Sequence, residues 1–327
     1  MKGKIAFEEH MSIPETTAEV VDFAGESADF DNFTREILDL DDIRLNYMDQ
    51  TGIELAILSL NAPGVQAILD TDEAIEVARK GNDTMAAAIE RHPTRYRAFA
   101  ALPMQDPVAA AAELERCVKE MGFKGALVNG FTQKDTPNSA IYYDLPEYRE
   151  FWQTLADLDV PFYIHPRMGL PSQSKNIMDH PWLRSSPWGF TVETGTHALR
   201  LCGSGLFEDV KHLKLIVGHL GEFIPYNLWR MDARMAFSPR GYRGSKPLGH
   251  YFREHFHVTT SGNFHDSTFR CCLDELGKDR MYFCADYPFE RMEDAADWFD
   301  NTQVITDEER LQIGRTNAIK LFNLDLD

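Results

Sequence analysis

The sequence predicts a (β/α)₈ barrel, because short strands of the buried type alternate with helical segments along its 327 residues. Eight apolar stretches rich in β-branched residues have the length of strands buried on both faces. They are KIAFEEH (4–10), ELAILSLN (54–61), YRAFAALP (96–103), FKGALVNG (123–130), VPFYIHP (160–166), LKLIVGHLG (213–221), FHVTTSG (256–262) and MYFCADYP (281–288). Eight such units in roughly 300 residues favour a closed barrel over a doubly wound sheet.

Helical periodicity fills the intervals between these strands. Residues 72–92 carry apolar side chains at helical spacing behind an acidic start, and residues 107–121 begin with proline and end before Gly122. The same pattern recurs at 147–159, 266–277 and 307–322. Because the sequence contains no linker, low-complexity tract or clear repeat, we expect residues 1–327 to form a single domain.

Two longer insertions interrupt the alternation, at residues 11–45 after the first strand and residues 167–200 after the fifth. Both leave the C-terminal ends of their strands, where a parallel barrel builds its active site. Their aromatic residues are Phe23, Phe30, Phe33, Trp182, Trp188 and Phe190. The insertions therefore predict either lids over a pocket or contacts between subunits.

The charge balance excludes some classes of partner. The chain has 52 acidic against 33 basic residues, a net charge of −19, which disfavours binding to nucleic acid or to an anionic membrane surface. The N-terminus lacks the apolar run of a signal peptide, and no apolar stretch is long enough for a membrane span. The five cysteines contain no CxxC pair, which is typical of reduced thiols, so we expect a cytoplasmic protein.

Polar side chains of the metal-ligand type end four of the eight predicted strands, namely Glu8 with His10, His165, His219 and Asp286. Side chains alternate along a strand, so Glu8 and His10 share a face and Glu9 points away. Each residue alone has an ordinary structural explanation, such as a hydrogen-bonded histidine or a helix cap. A barrel brings all these strand ends to one rim, however, and carboxylates with imidazoles suit a divalent ion such as Zn²⁺ or Mn²⁺.

Several stretches resemble the amidohydrolase superfamily: GKIAFEEH, LSLNAPGVQ, FAALPMQDP, GFKGALVNG, LDVPFYIHPR, GHLGE, TTSGNF, ADYPFE and IGRTNAIKLF. Within that superfamily they are similar to the aromatic-acid decarboxylases of γ-resorcylate (2,6-dihydroxybenzoate) and of 2,3-dihydroxybenzoate. The resemblance implies that Glu8, His10, His165 and Asp286 are the metal ligands. It also implies that His219 and Glu222 form a catalytic pair.

The sequence departs from the hydrolytic members of that superfamily at two strands. The first strand carries Glu-x-His where hydrolases have His-x-His, and the fourth ends at Asn129 without the bridging lysine or carboxylate of binuclear members. We therefore expect one divalent ion per chain, Zn²⁺ or Mn²⁺ in preference to Mg²⁺, and no organic cofactor. The departures also favour a carboxy-lyase over a hydrolase.

The resemblance implies a non-oxidative, reversible decarboxylation of an ortho-hydroxybenzoate, with 2,6-dihydroxybenzoate converted to resorcinol. Asp286 would donate the proton to the ring carbon, and His219, held by Glu222, would shuttle that proton. Arg230 is expected to meet the substrate carboxylate. The remaining candidate substrate contacts are Phe23, Asn61, Ala62, Asn129, Trp188 and Phe289.

Three other functions are consistent with parts of the pattern. A hydrolase of a lactone or amide would use the metal to activate water, with Asp286 as the base. A hydratase or decarboxylase of a non-aromatic dicarboxylate would use a similar rim, whereas a binding protein would not need so many ionisable strand ends. The family also implies a homodimer or homotetramer whose substrate is a small aromatic carboxylate.

Overall fold

The computed structural model describes residues 1–17 and 30–326, and within them eight parallel strands form one ring. A short antiparallel hairpin (β5 and β6) stands outside this ring. The strands are β1 (Lys4–Met11), β2 (Ile53–Leu60), β3 (Tyr96–Ala98), β4 (Ala126–Asn129), β5 (Thr132–Lys134), β6 (Thr136–Ile141), β7 (Phe162–His165), β8 (Leu215–Val217), β9 (Phe256–Thr259) and β10 (Met281–Tyr282).

Two seams close the ring. Strands β1, β2 and β3 form one sheet, and strands β4, β7, β8, β9 and β10 form another, each in that order. A bridge between Ala100 and Ala126 joins β3 to β4, and a bridge between Glu9 and Tyr287 joins β1 to the end of β10. At the second seam the His10 amide donates to the Tyr287 carbonyl over 2.7 Å. The predicted (β/α)₈ barrel is therefore confirmed.

Helices follow the strands as expected. They are α1 (Phe30–Leu38), α2 (Ile43–Thr51), α3 (Thr71–Arg91), α4 (Pro107–Met121), α5 (Arg149–Asp157), α6 (Gly189–Gly203), α7 (Leu206–Asp209), α8 (Ile224–Phe237), α9 (Leu248–His255), α10 (Asp266–Leu276), α11 (Met292–Asn301), α12 (Asp307–Leu311) and α13 (Asn317–Phe322). The helix predicted at 107–121 has those bounds because the Asp106 side chain caps its first amides and Gly122, at φ +70°, ends it. No helix among these described residues is long and apolar enough to cross a membrane.

Aromatic side chains fill the interior of the barrel at its N-terminal end. The Phe7 ring packs edge-on against Phe99, Tyr163 and Tyr282, with centroid separations of 5.3–6.4 Å. Phe322 of α13 closes this end, with its ring 4.8 Å from that of Phe7. Such edge-to-face packing adds about 0.5–1.5 kcal/mol per pair to the burial of the rings. The lower barrel is thus a packed core, and the space for chemistry lies at the opposite end.

The predicted strands are confirmed in position, but all except β1 end earlier than expected. The segment predicted as 281–288 is strand only at Met281–Tyr282, and Asp286 lies in the following loop at φ +76°. The segment predicted as 213–221 is strand only at Leu215–Val217. His219 and Asp286 therefore lie on rim loops, whereas Glu8, His10 and His165 remain within β1 and β7.

A register shift in β1 orients its polar end. Ile5 and Phe7 belong to the barrel interior, so simple alternation would place Glu9 there as well. Ala6 pairs with Ala56, and Glu9 pairs with Leu58. Strand β1 therefore advances by three residues where β2 advances by two, so β1 contains one extra residue. This bulge turns Glu8 inward with its partners and leaves Glu9 to accept from the Ala285 amide over 3.1 Å. The predicted division between Glu8 and Glu9 is therefore achieved by a bulge.

Candidate metal centre and active site

The four predicted metal ligands converge at the C-terminal mouth of the barrel. Glu8, His10, His165 and Asp286 are all buried, and one ligand atom from each lies within 4.8 Å of the others. His10 Nε2 is 3.2 Å from Asp286 Oδ1, and His165 Nε2 is 3.6 Å from Glu8 Oε1. Two imidazole nitrogens and two carboxylate oxygens around one point are a donor set that suits Zn²⁺ or Mn²⁺.

Neighbouring side chains turn both imidazoles so that their Nε2 atoms face this point. His165 Nδ1 donates to the Asn129 side-chain oxygen over 2.8 Å, and His10 Nδ1 lies 3.0 Å from the Ser59 hydroxyl. Burial holds the pKa of His165 well below its usual value, which keeps the ring neutral. A neutral histidine fixed through its other nitrogen is the form that ligates a metal.

Unsatisfied polar atoms point to an ion at the centre of the cluster. Glu8 Oε1, His10 Nε2 and Asp286 Oδ1 are buried, and they have no hydrogen-bond partner among the described residues. A buried polar atom without a partner costs about 1–3 kcal/mol, so three such atoms in one cluster need a common explanation. Coordination of one divalent ion satisfies all three, and the residues present therefore fit a metal.

The predicted catalytic pair lies beside this cluster, on the loop after β8. His219 Nδ1 is 2.7 Å from Glu222 Oε1, which fixes the ring so that Nε2 points to the metal cluster. His219 Nε2 then lies 3.3 Å from Asp286 Oδ2 and 3.8 Å from Glu8 Oε1.

The same loop holds its backbone in an unusual conformation. The five residues from His219 to Phe223 all have positive φ, between +51° and +80°. Non-glycine residues with positive φ are uncommon, and a run of them persists only where surrounding contacts enforce it. Contacts with surrounding residues therefore fix the main chain at His219.

The charges around His219 and Asp286 shift the pKa values of these two groups in opposite directions. Burial alone would lower the pKa of His219, but the nearby Glu222 and Glu8 carboxylates raise it well above its usual value. Burial alone would raise the pKa of Asp286, but the imidazoles of His10 and His219 beside it lower it overall. These shifts favour a protonated His219 between carboxylates, and this pair can move a proton.

A cavity of about 240 Å³ opens above the four candidate ligand residues. It is at the small end of ligand pockets and fits a compact ligand. Five of its lining residues are apolar and six are polar. The apolar ones are Phe33, Ala62, Pro166, Phe190 and Phe289, and the polar ones are His165, Ser185, Ser186, His219, Asp286 and Glu290. A flat aromatic ring can enter such a slot with one polar edge toward the metal.

Of the predicted substrate contacts, Ala62 and Phe289 line this cavity, and the Phe289 ring lies 5.5 Å from that of His10. Asn129 serves His165 instead of the cavity. Asn61 is buried beside Asn129, and its side-chain oxygen accepts a hydrogen bond from the Thr16 hydroxyl over 3.2 Å.

Two of the remaining predicted contacts, Trp188 and Arg230, do not line this cavity. Trp188 lines a separate cavity of about 300 Å³, where it lies 5.7 Å from the Phe223 ring. Arg230 is exposed on α8 and faces a different groove, because the helix directs that side chain outward. Phe23 lies outside the described residues. Within one chain, Trp188 and Arg230 therefore do not meet the metal cluster.

Sequence reasoning missed several residues of the site. Phe33 and Phe190 were expected only as insertion aromatics, whereas Ser185, Ser186 and Glu290 had no signal in the pattern. The sequence could have indicated the hydrogen bond from the Tyr163 hydroxyl to Glu8. Tyr163 stands two residues before His165 on the same strand, so the two side chains share a face.

The sequence and the fold are both similar to those of known proteins. A family model described as amidohydrolase matches residues 20–324. The chain belongs to the amidohydrolase family. The expected likeness to the aromatic-acid decarboxylases is also confirmed, because this amidohydrolase is 50% identical over 328 aligned positions to a curated γ-resorcylate decarboxylase from Rhizobium radiobacter. That alignment covers 99% of each chain.

Two solved structures resemble this amidohydrolase over nearly its whole length. A 2,6-dihydroxybenzoate decarboxylase complexed with 2,6-dihydroxybenzoate has a TM-score of 0.96 and 49% identity, covering 99% of this chain and 100% of that one. A dihydroxybenzoic acid decarboxylase from Polaromonas sp. JS666, with bound manganese and the inhibitor 2-nitroresorcinol, has a TM-score of 0.97 and 49% identity. That match covers 100% of this chain and 98% of the other.

Proposed function

We propose that the protein catalyses the non-oxidative decarboxylation of 2,6-dihydroxybenzoate to resorcinol and CO₂. The observation that carries this proposal is the placement of His219, oriented by Glu222, 3.3 Å from the Asp286 carboxylate at the floor of a small aromatic-walled cavity. Relatives about half identical to the chain over their whole length, named for this reaction, support it.

Glu8, His10, His165 and Asp286 would hold one divalent ion per chain, either Mn²⁺ or Zn²⁺. When bound, such an ion supplies a positive charge that chelates the substrate carboxylate with its ortho oxygen and stabilises negative charge on both. The manganese in the Polaromonas relative supports Mn²⁺. Asn129 and Ser59 contribute by fixing the two imidazoles before the substrate arrives.

The proton required by the reaction is held by the chain's own residues. Because Glu222 accepts the Nδ1 proton of His219, the proton at Nε2 is the one directed at Asp286 Oδ2. His219 passes this proton to Asp286, and Asp286 delivers it to the ring carbon that bears the carboxylate. The bond from that carbon to the carboxylate then breaks, CO₂ leaves, and the bonding electrons restore the aromatic ring.

The walls of the cavity position the ring and exclude water. Phe33, Phe190 and Phe289 surround the space above the ligands, with Ala62 and Pro166 completing its apolar lining. The ring of Phe33 also packs 5.3 Å from that of Phe289, which fixes the height of the slot. Apolar walls favour departure of the uncharged CO₂ and strengthen the electrostatic interactions beneath.

Replacing Glu222 with glutamine should shift the alkaline limb of the pH profile to lower pH. Burial lowers the pKa of His219, and the Glu222 charge is the largest influence that raises it, ahead of Glu8 and Asp286. Glutamine keeps an oxygen for the Nδ1 proton but removes the charge, so His219 loses its proton at a lower pH. We expect a downward shift of about 1–3 pH units in kcat/KM, the usual effect of one close opposite charge.

The shift would be measured from kcat/KM against pH at saturating metal. Glu150→Gln, which removes an exposed carboxylate from α5, is the matched control and should leave the profile unchanged. An alkaline limb that stays in place in Glu222→Gln would mean that His219 does not carry the proton.

Substrate selection should depend on the ortho hydroxyl. The hydroxyl beside the carboxylate can join it in a chelate, whereas a para hydroxyl cannot reach the same ion. We therefore expect conversion of 2,6-dihydroxybenzoate, with 2,3-dihydroxybenzoate as the next candidate, and little turnover of 4-hydroxybenzoate. In heavy water each product should carry one deuterium at the carbon that lost CO₂, as read by mass spectrometry.

The same assay distinguishes the alternative functions. Turnover of the para isomer at the ortho rate would contradict chelation. Acid release from a lactone without CO₂, in the absence of any hydroxybenzoate turnover, would identify a hydrolase. Resorcinol carboxylation at high bicarbonate is the expected reverse reaction.

We further propose a homodimer or homotetramer of single-domain chains located in the cytoplasm. Helix α8 supports the assembly, since Tyr226, Trp229 and Phe237 expose 82%, 78% and 78% of their surface. Large aromatic side chains exposed together on one helix are typical of a protein interface. Arg230 lies on the same helix and would then stand at a subunit boundary. Five free cysteines, four of them buried, are consistent with a reducing compartment.

A further inference from the structure

A line of hydrogen bonds connects the Glu8 carboxylate with the backbone of His219. Glu8 Oε2 accepts from the Thr259 hydroxyl over 3.0 Å, and the Thr259 and Ser261 hydroxyl oxygens are 2.8 Å apart. The His219 amide donates to the Ser261 hydroxyl over 3.2 Å. Tyr163 also donates its hydroxyl to Glu8 Oε2. The two hydroxyls of β9 and its loop thus lie between a metal ligand and the catalytic histidine.

The donors and acceptors allow only one direction for this line. The His219 amide can only donate, so the Ser261 oxygen accepts from it. Because Thr259 gives its hydrogen to Glu8, Ser261 must give its own to Thr259. Every hydrogen therefore points toward Glu8, and hydrogen bonds aligned in this way strengthen one another.

The two oxygens of Glu8 have different surroundings as a result. Oε2 is occupied by the hydroxyls of Tyr163 and Thr259, whereas Oε1 is buried with no hydrogen-bond partner among the described residues. Oε1 is also the oxygen that lies 3.6 Å from His165 Nε2. Only one oxygen of this carboxylate is left to face the ion.

Gly218 completes the contact between the two groups. A Cβ at this position would lie 2.8 Å from both Glu8 oxygens and 2.9 Å from the Ser261 hydroxyl. The main chain that leads into His219 is therefore packed directly on the carboxylate and its hydroxyl partners.

We propose that Tyr163, Thr259 and Ser261 are positioning residues that restrict Glu8 to a single ligating oxygen and set the position of His219 from the same carboxylate. Tyr163 and Thr259 act on metal affinity, whereas Ser261 acts on the catalytic histidine. The inference rests on the proposed metal centre, and it assigns these hydroxyls a role in ligation and turnover beyond barrel packing.

Metal binding without substrate tests the first half of the proposal. Mn²⁺ is titrated into metal-free protein, and the unbound ion is followed by electron paramagnetic resonance. Thr259→Val and Tyr163→Phe should each weaken Mn²⁺ binding by about 10–100-fold, the usual effect of losing a partner of a ligand. Thr259→Ser keeps the hydroxyl and should bind Mn²⁺ nearly as tightly as the wild type.

Tyr282→Phe is the matched control, because it also removes a buried tyrosine hydroxyl from the barrel interior. That hydroxyl bonds to His257 over 2.8 Å and is remote from the ligand cluster, so Mn²⁺ affinity should not change. Wild-type affinity in Thr259→Val and Tyr163→Phe would overturn the proposal, as would equal losses in Tyr282→Phe. A wild-type protein that binds neither Mn²⁺ nor Zn²⁺ would instead refute the metal centre itself, and this inference with it.

Turnover at saturating Mn²⁺ tests the second half. Ser261→Ala should bind Mn²⁺ within about threefold of wild type but lower kcat by roughly tenfold, because the His219 amide loses its acceptor. A loss in Mn²⁺ affinity equal to that of Thr259→Val, or an unchanged kcat, would overturn the assigned role of Ser261. If the wild type turns over no hydroxybenzoate, the proposed function fails, whereas the Mn²⁺ titrations still decide the role of Tyr163 and Thr259.

Discussion

Replacement of His165 with alanine is expected to release the divalent ion and abolish turnover. His165 supplies one of four ligand groups, and Asn129 fixes its ring so that Nε2 faces the other three. Removal of one ligand from a closed four-residue site weakens binding strongly. Elemental analysis of the purified protein should give about one ion per wild-type chain and close to none in the variant.

The control for this experiment is His212→Ala, which removes an exposed histidine far from the barrel mouth. It should retain both the ion and the activity. Two ions per wild-type chain would contradict a mononuclear centre, and full metal content in His165→Ala would remove His165 from the ligand set.

Replacement of His219 with alanine is expected to preserve the metal and the fold but to lower kcat by about 10²–10⁴-fold. This is the usual size of a general acid–base contribution. The His219 ring contacts Asp286 and Glu222 but is outside the four-residue cluster. Metal content and the circular dichroism spectrum should therefore match the wild type while single-turnover decarboxylation slows.

Glu222→Gln provides the comparison for this variant. Glu222 supports the ring and does not contact the substrate, so its replacement should cost less activity at low pH than His219→Ala. Near-normal kcat in His219→Ala would mean that another group supplies the proton. Loss of the ion from that variant would instead place His219 among the ligands.

The fold was predictable because the strands and the helices of a parallel barrel have different hydrophobic patterns in the sequence. Buried strands are continuous apolar runs, and the helices between them have their own period and caps, as at Asp106 and Gly122. The ends of the strands were less predictable. Asp286 leaves β10 in a left-handed conformation that no local preference of Ala-Asp-Tyr indicates, because contacts across the seam with Glu8 impose it.

Part of the site was predictable from residue type and part required the three-dimensional arrangement. Glu8, His10 and His165 each have an ordinary structural explanation alone, but their shared position at strand ends predicted that they would meet at one rim, and they do. Asn129 was expected to contact the substrate and instead orients His165, since an amide serves equally well in either role. The walls formed by Ser185 and Ser186 come from a loop without periodicity, which no pattern could place.

The metal centre draws its ligands from opposite ends of the polypeptide. Glu8 and His10 lie on the first strand, and Asp286 follows the last, at the seam where the Glu9–Tyr287 bridge closes the ring. A ribosome therefore makes the first two ligands long before the fourth, at about 5–20 residues per second. The four-residue site therefore cannot be complete until the loop after β10 has been synthesised, when the seam between β1 and β10 can also close. An ion held by these residues would tie β1 to the loop after β10 and so reinforce the seam that closes the barrel.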